Sequence, residues 1–148
     1  MCERAGVDLR FNSYAEAADV LALEPDHARL AALGQKVGVI GVYPTPTAIE
    51  LVSRSSREAR AFGAPPPAPL IEVRAFAAPV GVPEDPVTGS LNAGIAQWLA
   101  GEGEVPHRWS VTQGGCIGRA GVLSLTAADD GEVRVGGAVT TLVEGTIR

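Results

Sequence analysis

An extended, proline-bounded segment that runs straight into a long apolar helix leaves a chain little freedom in how it folds. Here that segment is Pro83-Glu84-Asp85-Pro86-Val87-Thr88-Gly89-Ser90, followed at once by the apolar run Leu91 to Ala100. Pro86 disfavours helical backbone at Asp85 and pushes it toward β or polyproline geometry, so the acid is expected on a rigid extended loop. Gly89 lets the chain turn tightly and leaves room for a ligand to approach the backbone. Leu91, Ile95, Trp98 and Leu99 fall at i, i+4, i+7 and i+8, one apolar stripe that buries one side of a helix ending at Gly101 or Gly103. The first amides of that helix point at whatever occupies the loop. Unpaired N–H groups and the positive end of the helix dipole favour an anion there, with the hydroxyls of Thr88 and Ser90 beside it. The same residues also admit a plainer reading, in which Ser90 is an N-cap, Thr88 a turn residue and Asp85 a solvated loop acid.

The rest of the chain reads as an α+β pattern dominated by strands. Pro25 at a helix start, Leu30 and Leu33 on one face, and Gly34 as a stop predict a short helix from about Glu24 to Leu33. Val37 to Tyr43 is a β-branched run ended by Pro44 and Pro46, and Ile49 to Ser53 and Leu70 to Ala78 read as the next strands. Between these two lies Ala64-Pro65-Pro66-Pro67, which should be extended and exposed. His107 to Thr112, Gly121 to Thr126, Glu132 to Val135 and Val139 to Thr146 predict a closing antiparallel meander. Its clearest hairpin turn is Asp129-Asp130-Gly131. One apolar helix among several strands fits a sheet, antiparallel or mixed, curled around a central helix.

Composition narrows the function classes. A chain of 148 residues is expected to form a single domain over residues 1–148 and to bury about two-thirds of its unfolded surface. With 46% hydrophobic and 20% charged residues it is globular. A formal charge of -5 argues against nucleic-acid or anionic-membrane partners, since no basic cluster is present to neutralise phosphates. No run approaches the roughly 18 apolar residues of a membrane span, and Met1-Cys2-Glu3-Arg4 opens no signal-peptide pattern, so the expected location is cytoplasmic. Cys2, His27, His107 and Cys116 do not supply a zinc set, and no metal is expected. Gly114-Gly115-Cys116-Ile117-Gly118 lacks the Lys-Ser/Thr pair of a phosphate loop. Arg119 reads as a salt-bridge partner before an anion clamp and Trp98 as core before a ligand platform, while Trp109, in an alternating strand, is open between those two roles.

Four blocks, taken together, resemble a known family. Val73-Arg74-Ala75-Phe76-Ala77 leads into Glu84-Asp85-Pro86-Val87-Thr88-Gly89-Ser90; Gln113-Gly114 with Gly118-Arg119-Ala120-Gly121 follows; Val133-Arg134-Val135-Gly136-Gly137 closes the series. In this order they look like the C-terminal half of the PhzF-like phenazine-biosynthesis proteins, isomerases and epimerases that share the diaminopimelate-epimerase-like fold. The resemblance covers Val37 to Arg148 well and the first 36 residues loosely. It implies one such lobe, a catalytic role for Asp85 and Ser90, and contacts to a substrate carboxylate from Thr88, Gly89, Ser90 and Leu91. Relatives with this fold that use cysteine thiols for proton transfer make Cys116 a further candidate, but Ser90 stands where such a thiol belongs. Cys116 is otherwise expected to be a small buried hydrophobe.

The resemblance also implies a gap. In the family the principal acid/base glutamate belongs to an N-terminal lobe, and no segment here resembles its motif or the accompanying Cys-Gly-His loop. The leading expectation is a cofactor-independent isomerase unit that moves a proton next to a carboxylate or within an allylic acid, with a small carboxylate metabolite as ligand. It would pair with itself as a homodimer or with a separate chain carrying the N-terminal lobe. The competing expectation is a small-anion-binding or assembly module without turnover.

Overall fold

The computed structural model describes residues 15–44, 69–103, 105–128 and 131–146. The expected strand Ile49 to Ser53, the triple-proline segment, Cys2 and the turn residues Asp129 and Asp130 lie outside these. Among the described residues seven strands make one mixed sheet: β1 (Ala15–Glu16), β2 (Val37–Val42), β3 (Ile71–Ala77), β4 (Val82–Asp85), β5 (Arg108–Gln113), β6 (Gly121–Ala127) and β7 (Val133–Gly137). Their order is β1-β2-β3-β5-β6-β7, with β4 attached to β3. β3 runs antiparallel to β2 and parallel to β5, and β5, β6 and β7 form the expected antiparallel meander. The helix α3 (Gly89–Glu102) lies across one face of the sheet.

Alternation in β3 explains the layering. Ile71, Val73 and Ala75 join Leu91, Ile95, Ala96 and Leu99 of α3, Trp109 and Val111 of β5, and Leu123 and Leu125 of β6 in one apolar core. The intervening Glu72, Arg74 and Phe76 point to the other face, where α1 (Ala17–Ala22) and α2 (His27–Ala32) cover part of it. His27 meets the Phe76 ring edge-on at 5.9 Å between centroids. Because both faces are covered, every residue from Ile71 to Phe76 is buried. Burying apolar area at about 25 cal/mol per Å² is the main force holding α3 on the sheet.

Several expectations change. The helix predicted from Glu24 begins only at His27, because Asp26 is the N-cap, its carboxylate accepting from the Arg29 amide at 2.9 Å. α1, β1 and β4 are additions. Val139 to Thr146 forms no strand: residues 138–146 are irregular and exposed, with no neighbouring strand among the described residues to receive their hydrogen bonds. Trp109 is core at 3% exposure, and Trp98 packs half-buried on its rim. Among the described residues no helix is long and apolar enough to cross a membrane.

Candidate active site

The register of the sheet builds the site. β5 pairs with the first half of β3, Val73 opposite Gln113, and β4 pairs with the second half, Ala75 opposite Asp85. The two strands therefore lie end to end along one edge of β3, and their last residues, Gln113 and Asp85, meet where both chains leave the sheet. From there β4 continues through Pro86, Val87 and Thr88 into α3.

Four side chains are knitted together at this junction. The Thr88 hydroxyl donates to Asp85 Oδ2 at 2.7 Å. Gln113, 1% exposed, donates through Nε2 to the Asp85 carbonyl at 2.9 Å and to Thr88 Oγ1 at 3.0 Å. Its Oε1 accepts from the Thr88 amide at 3.1 Å and from Asn92 Nδ2 at 2.8 Å. Asn92, fully buried, also donates to the Thr88 carbonyl at 2.9 Å. Gln113 thus makes all four hydrogen bonds of its amide to a single turn, and the Asp85 carboxylate, half-buried, is held at that turn's mouth.

The helix start itself is left open. Thr88 is the N-cap, but its hydroxyl donates to Asp85 and accepts from Gln113 without bonding an amide of α3, and among the described residues no side chain caps those first amides. Ser90, considered above as a cap, instead occupies the second helical position with its side chain exposed, so the capping reading of Ser90 is corrected. Gly89 is exposed with open space around it, and Leu91 contributes its amide while its side chain enters the core. A groove of about 370 Å³ opens beside Gly89, bordered by Val87, Gly121, Val135 and Gly137 and free of charged lining residues.

The far wall of the turn depends on two glycines. Gly114 has φ +87°, and a Cβ there would lie 2.6 Å from the Pro86 carbonyl oxygen. A Cβ on Gly121 would lie 2.6 Å from Val87 Cγ2. The glycine-rich stretch is therefore a bed for the Pro86-Val87 backbone. Within it, the 3₁₀ turn Gly115–Ile117 carries Cys116, which is exposed, contrary to the expected buried position, with Sγ 3.5 Å from the Leu21 carbonyl. The whole 3₁₀ turn lies at the surface, its neighbour Ile117 being 41% exposed as well. Arg119 is exposed and has no ion-pair partner among the described residues, so its salt-bridge reading is not met.

Behind the turn, β4 is anchored by a buried ion pair. Arg74 and Glu84 form a two-pronged contact, Nε to Oε1 at 3.0 Å and Nη2 to Oε2 at 2.7 Å, with side chains 6% and 4% exposed. The remaining Arg74 nitrogen donates to the carbonyls of Val20 at 3.1 Å and Leu23 at 2.7 Å, closing the C-terminus of α1. The bond from Glu84 raises the Arg74 pKa further above its already high value. Since successive residues of a strand face opposite ways, fixing Glu84 on one face turns Asp85 toward α3.

Sequence reasoning located Asp85, Thr88, Gly89, Ser90 and Leu91 on one turn, and the structure brings them together there. It missed Gln113 and Asn92 as parts of the site and the Arg74–Glu84 anchor beneath it. Gln113 did carry a signal: in Trp109-Ser110-Val111-Thr112-Gln113 it occupies the inward alternation of two core residues, a place for a polar side chain only when its partners are waiting. Chemically, the arrangement offers a positioned carboxylate next to a set of uncapped amides. Groups of these two kinds can together hold an anion and handle a proton within one turn.

The sequence profile of the phenazine biosynthesis-like proteins (PhzC-PhzF) matches residues 11–145. An uncharacterized isomerase of Deinococcus radiodurans is 33% identical over 132 residues, covering 83% of this chain and 37% of that protein. The uncharacterized isomerase YddE of Escherichia coli is 30% identical over 113 residues, covering 73% of this chain and 32% of its own length. The chain spans about a third of the length of these relatives. Among solved structures, a phenazine biosynthesis protein of the PhzF family from Enterococcus faecalis superposes with a TM-score of 0.51 at 20% identity, over 84% of this chain and 42% of that one. This likeness places the fold with the diaminopimelate-epimerase-like arrangement of a sheet wrapped on a helix.

Proposed function

Because the chain belongs to the phenazine biosynthesis-like family, we propose that it is one lobe, the C-terminal one, of a cofactor-independent isomerase that moves a proton on a small carboxylic acid. The observation that carries this reading is the clamped Asp85 carboxylate beside the uncapped start of α3. The substrate carboxylate sits on the Gly89, Ser90 and Leu91 amides with the Ser90 hydroxyl alongside, and the uncharged groove next to Gly89 takes the remainder of the molecule. Asp85 orients or relays the proton. A second acid/base faces it from another lobe, in the same polypeptide or on a partner chain, and the working unit is a dimer or a two-lobed assembly. The isomerase names of the relatives support the reaction class.

The alternative is an anion-binding module without turnover, which the uncapped start of α3 would serve equally well. Incubation with but-3-enoate in D₂O separates the two. An isomerase that removes a proton from C2 and returns one to C4 deposits deuterium on carbon, and Asp85→Asn abolishes it. Saturable binding of but-3-enoate without deuterium uptake, unchanged in Asp85→Asn, supports the module.

A further inference from the structure

The hydrogen bonds around Gln113 fix more than a conformation. Two of its partners have no choice of role: the Thr88 amide only donates, and the Asp85 carbonyl only accepts. Flipping the Gln113 amide sets N–H against N–H and oxygen against oxygen, so its orientation is determined by the backbone. Asn92 is determined the same way, both hydrogens of Nδ2 going to the Thr88 carbonyl and Gln113 Oε1. This leaves the fully buried Asn92 Oδ1 without a hydrogen-bond partner among the described residues.

With its amide oriented, Gln113 spends its two Nε2 hydrogens on the Asp85 carbonyl and on Thr88 Oγ1. Thr88 Oγ1 is then an acceptor on that side, and its single hydrogen goes to Asp85 Oδ2, 2.7 Å away. Oδ2 accepts in either charge state of the acid. The hydroxyl oxygen of a carboxylic acid is a far poorer acceptor than its carbonyl oxygen, so a proton arriving on Asp85 settles on the other oxygen. Oδ1 has no partner among the described residues.

We propose that Gln113 is a positioning residue that, by orienting the Thr88 hydroxyl, makes Oδ1 the oxygen through which Asp85 gives and takes a proton. The proposal rests on the reading of Asp85 as the acid that handles the substrate proton, and it assigns that traffic to one atom.

Neutron diffraction from deuterated crystals of this chain tests it directly. At neutral pH the Thr88 deuteron points to Asp85 Oδ2 and the Gln113 deuterons to Asp85 O and Thr88 Oγ1; after an acid soak the new deuteron is on Oδ1. A Thr88 deuteron directed at Gln113, or an acid deuteron on Oδ2, overturns the proposal. A solution measurement separates positioning from support: the change in the Asp85 carboxyl ¹³C resonance between H₂O and D₂O reports the Thr88 hydrogen bond. It is expected in the parent and in Thr88→Ser, and lost in Thr88→Val. It is also lost in Gln113→Glu, whose carboxylate accepts where the amide donates and draws the Thr88 hydrogen away. Retention of the isotope shift in a folded Gln113→Glu variant contradicts the proposal. If the geometry is confirmed while Asp85→Asn leaves deuterium uptake from D₂O unchanged, the proton geometry stands and the isomerase reading falls.

Discussion

Ser90 and Thr88 sit two residues apart and are expected to fail differently when altered. Thr88 holds Asp85 and closes the Gln113 network, whereas Ser90 is exposed at the second position of α3 and caps nothing. Ser90→Ala should therefore leave stability within about 0.5 kcal/mol of the parent, where loss of a true cap costs about 1 kcal/mol, and should weaken carboxylate binding several-fold. Chemical denaturation and a titration with benzoate read the two effects separately. Gln113→Ala strands the Thr88 amide, the Asp85 carbonyl and the Asn92 amide, and is expected to cost on the order of 3 kcal/mol, seen as a lower denaturation midpoint. Tyr43 gives a pH prediction. Its hydroxyl, bonded to Glu72 at 2.7 Å on the sheet face away from α3, has a pKa raised above 10.0, chiefly by burial and further by Glu72. The neutral form is favoured in the fold, so its contribution is complete below pH 10 and is lost as pH climbs through the raised value. Melting temperature should fall above pH 10, and fall less in Tyr43→Phe. At this scale the sequence disclosed the residues whose roles are local. Asp85 was legible because Pro86 adjoins it; Gln113 was not, because its partners are fixed only when β4 and β5 meet end to end on β3.

The strand that presents Asp85 is an unlikely strand by composition. β4 is four residues long, contains Pro83 and pairs with β3 through a register shift, features that in sequence favour a loop. What makes it a strand is tertiary: the Arg74–Glu84 pair holds it to β3 and ties α1 to the same guanidinium. Glu84→Gln leaves a buried guanidinium without its counter-charge and is expected to destabilise by about 3 to 5 kcal/mol. A double-mutant cycle with Arg74→Met should recover part of that loss, and strict additivity of the two changes would show that the pair is not coupled. Elements with a strong local period, β2, β3, α3, β5 and β6, were legible within a residue or two. The failure at residues 138–146 has the opposite cause from β4. Val139, Leu142 and Val143 have strand-forming side chains, yet stand 87% to 89% exposed, because a strand exists only where a neighbour supplies the ladder.

Across the whole molecule, the site lies at the rim of one sheet-and-helix unit, and that unit spans about a third of its relatives. Exposed Val139, Leu142 and Val143, together with Val122 and Val135, favour association. A homodimer is expected by native mass spectrometry at tens of micromolar, and a species that stays monomeric there removes the homodimer and leaves a separate second lobe as the required partner. Everything proposed for catalysis depends on one condition, that the open start of α3 receives a carboxylate beside Asp85. Titrating the ¹⁵N-labelled chain with benzoate and following its amide resonances tests that condition. Saturable shifts largest at Gly89, Ser90 and Leu91, reduced in Ser90→Ala, are the predicted result. Shifts that do not saturate, or that centre on α1 and α2 while Gly89 to Leu91 stay fixed, would contradict the account.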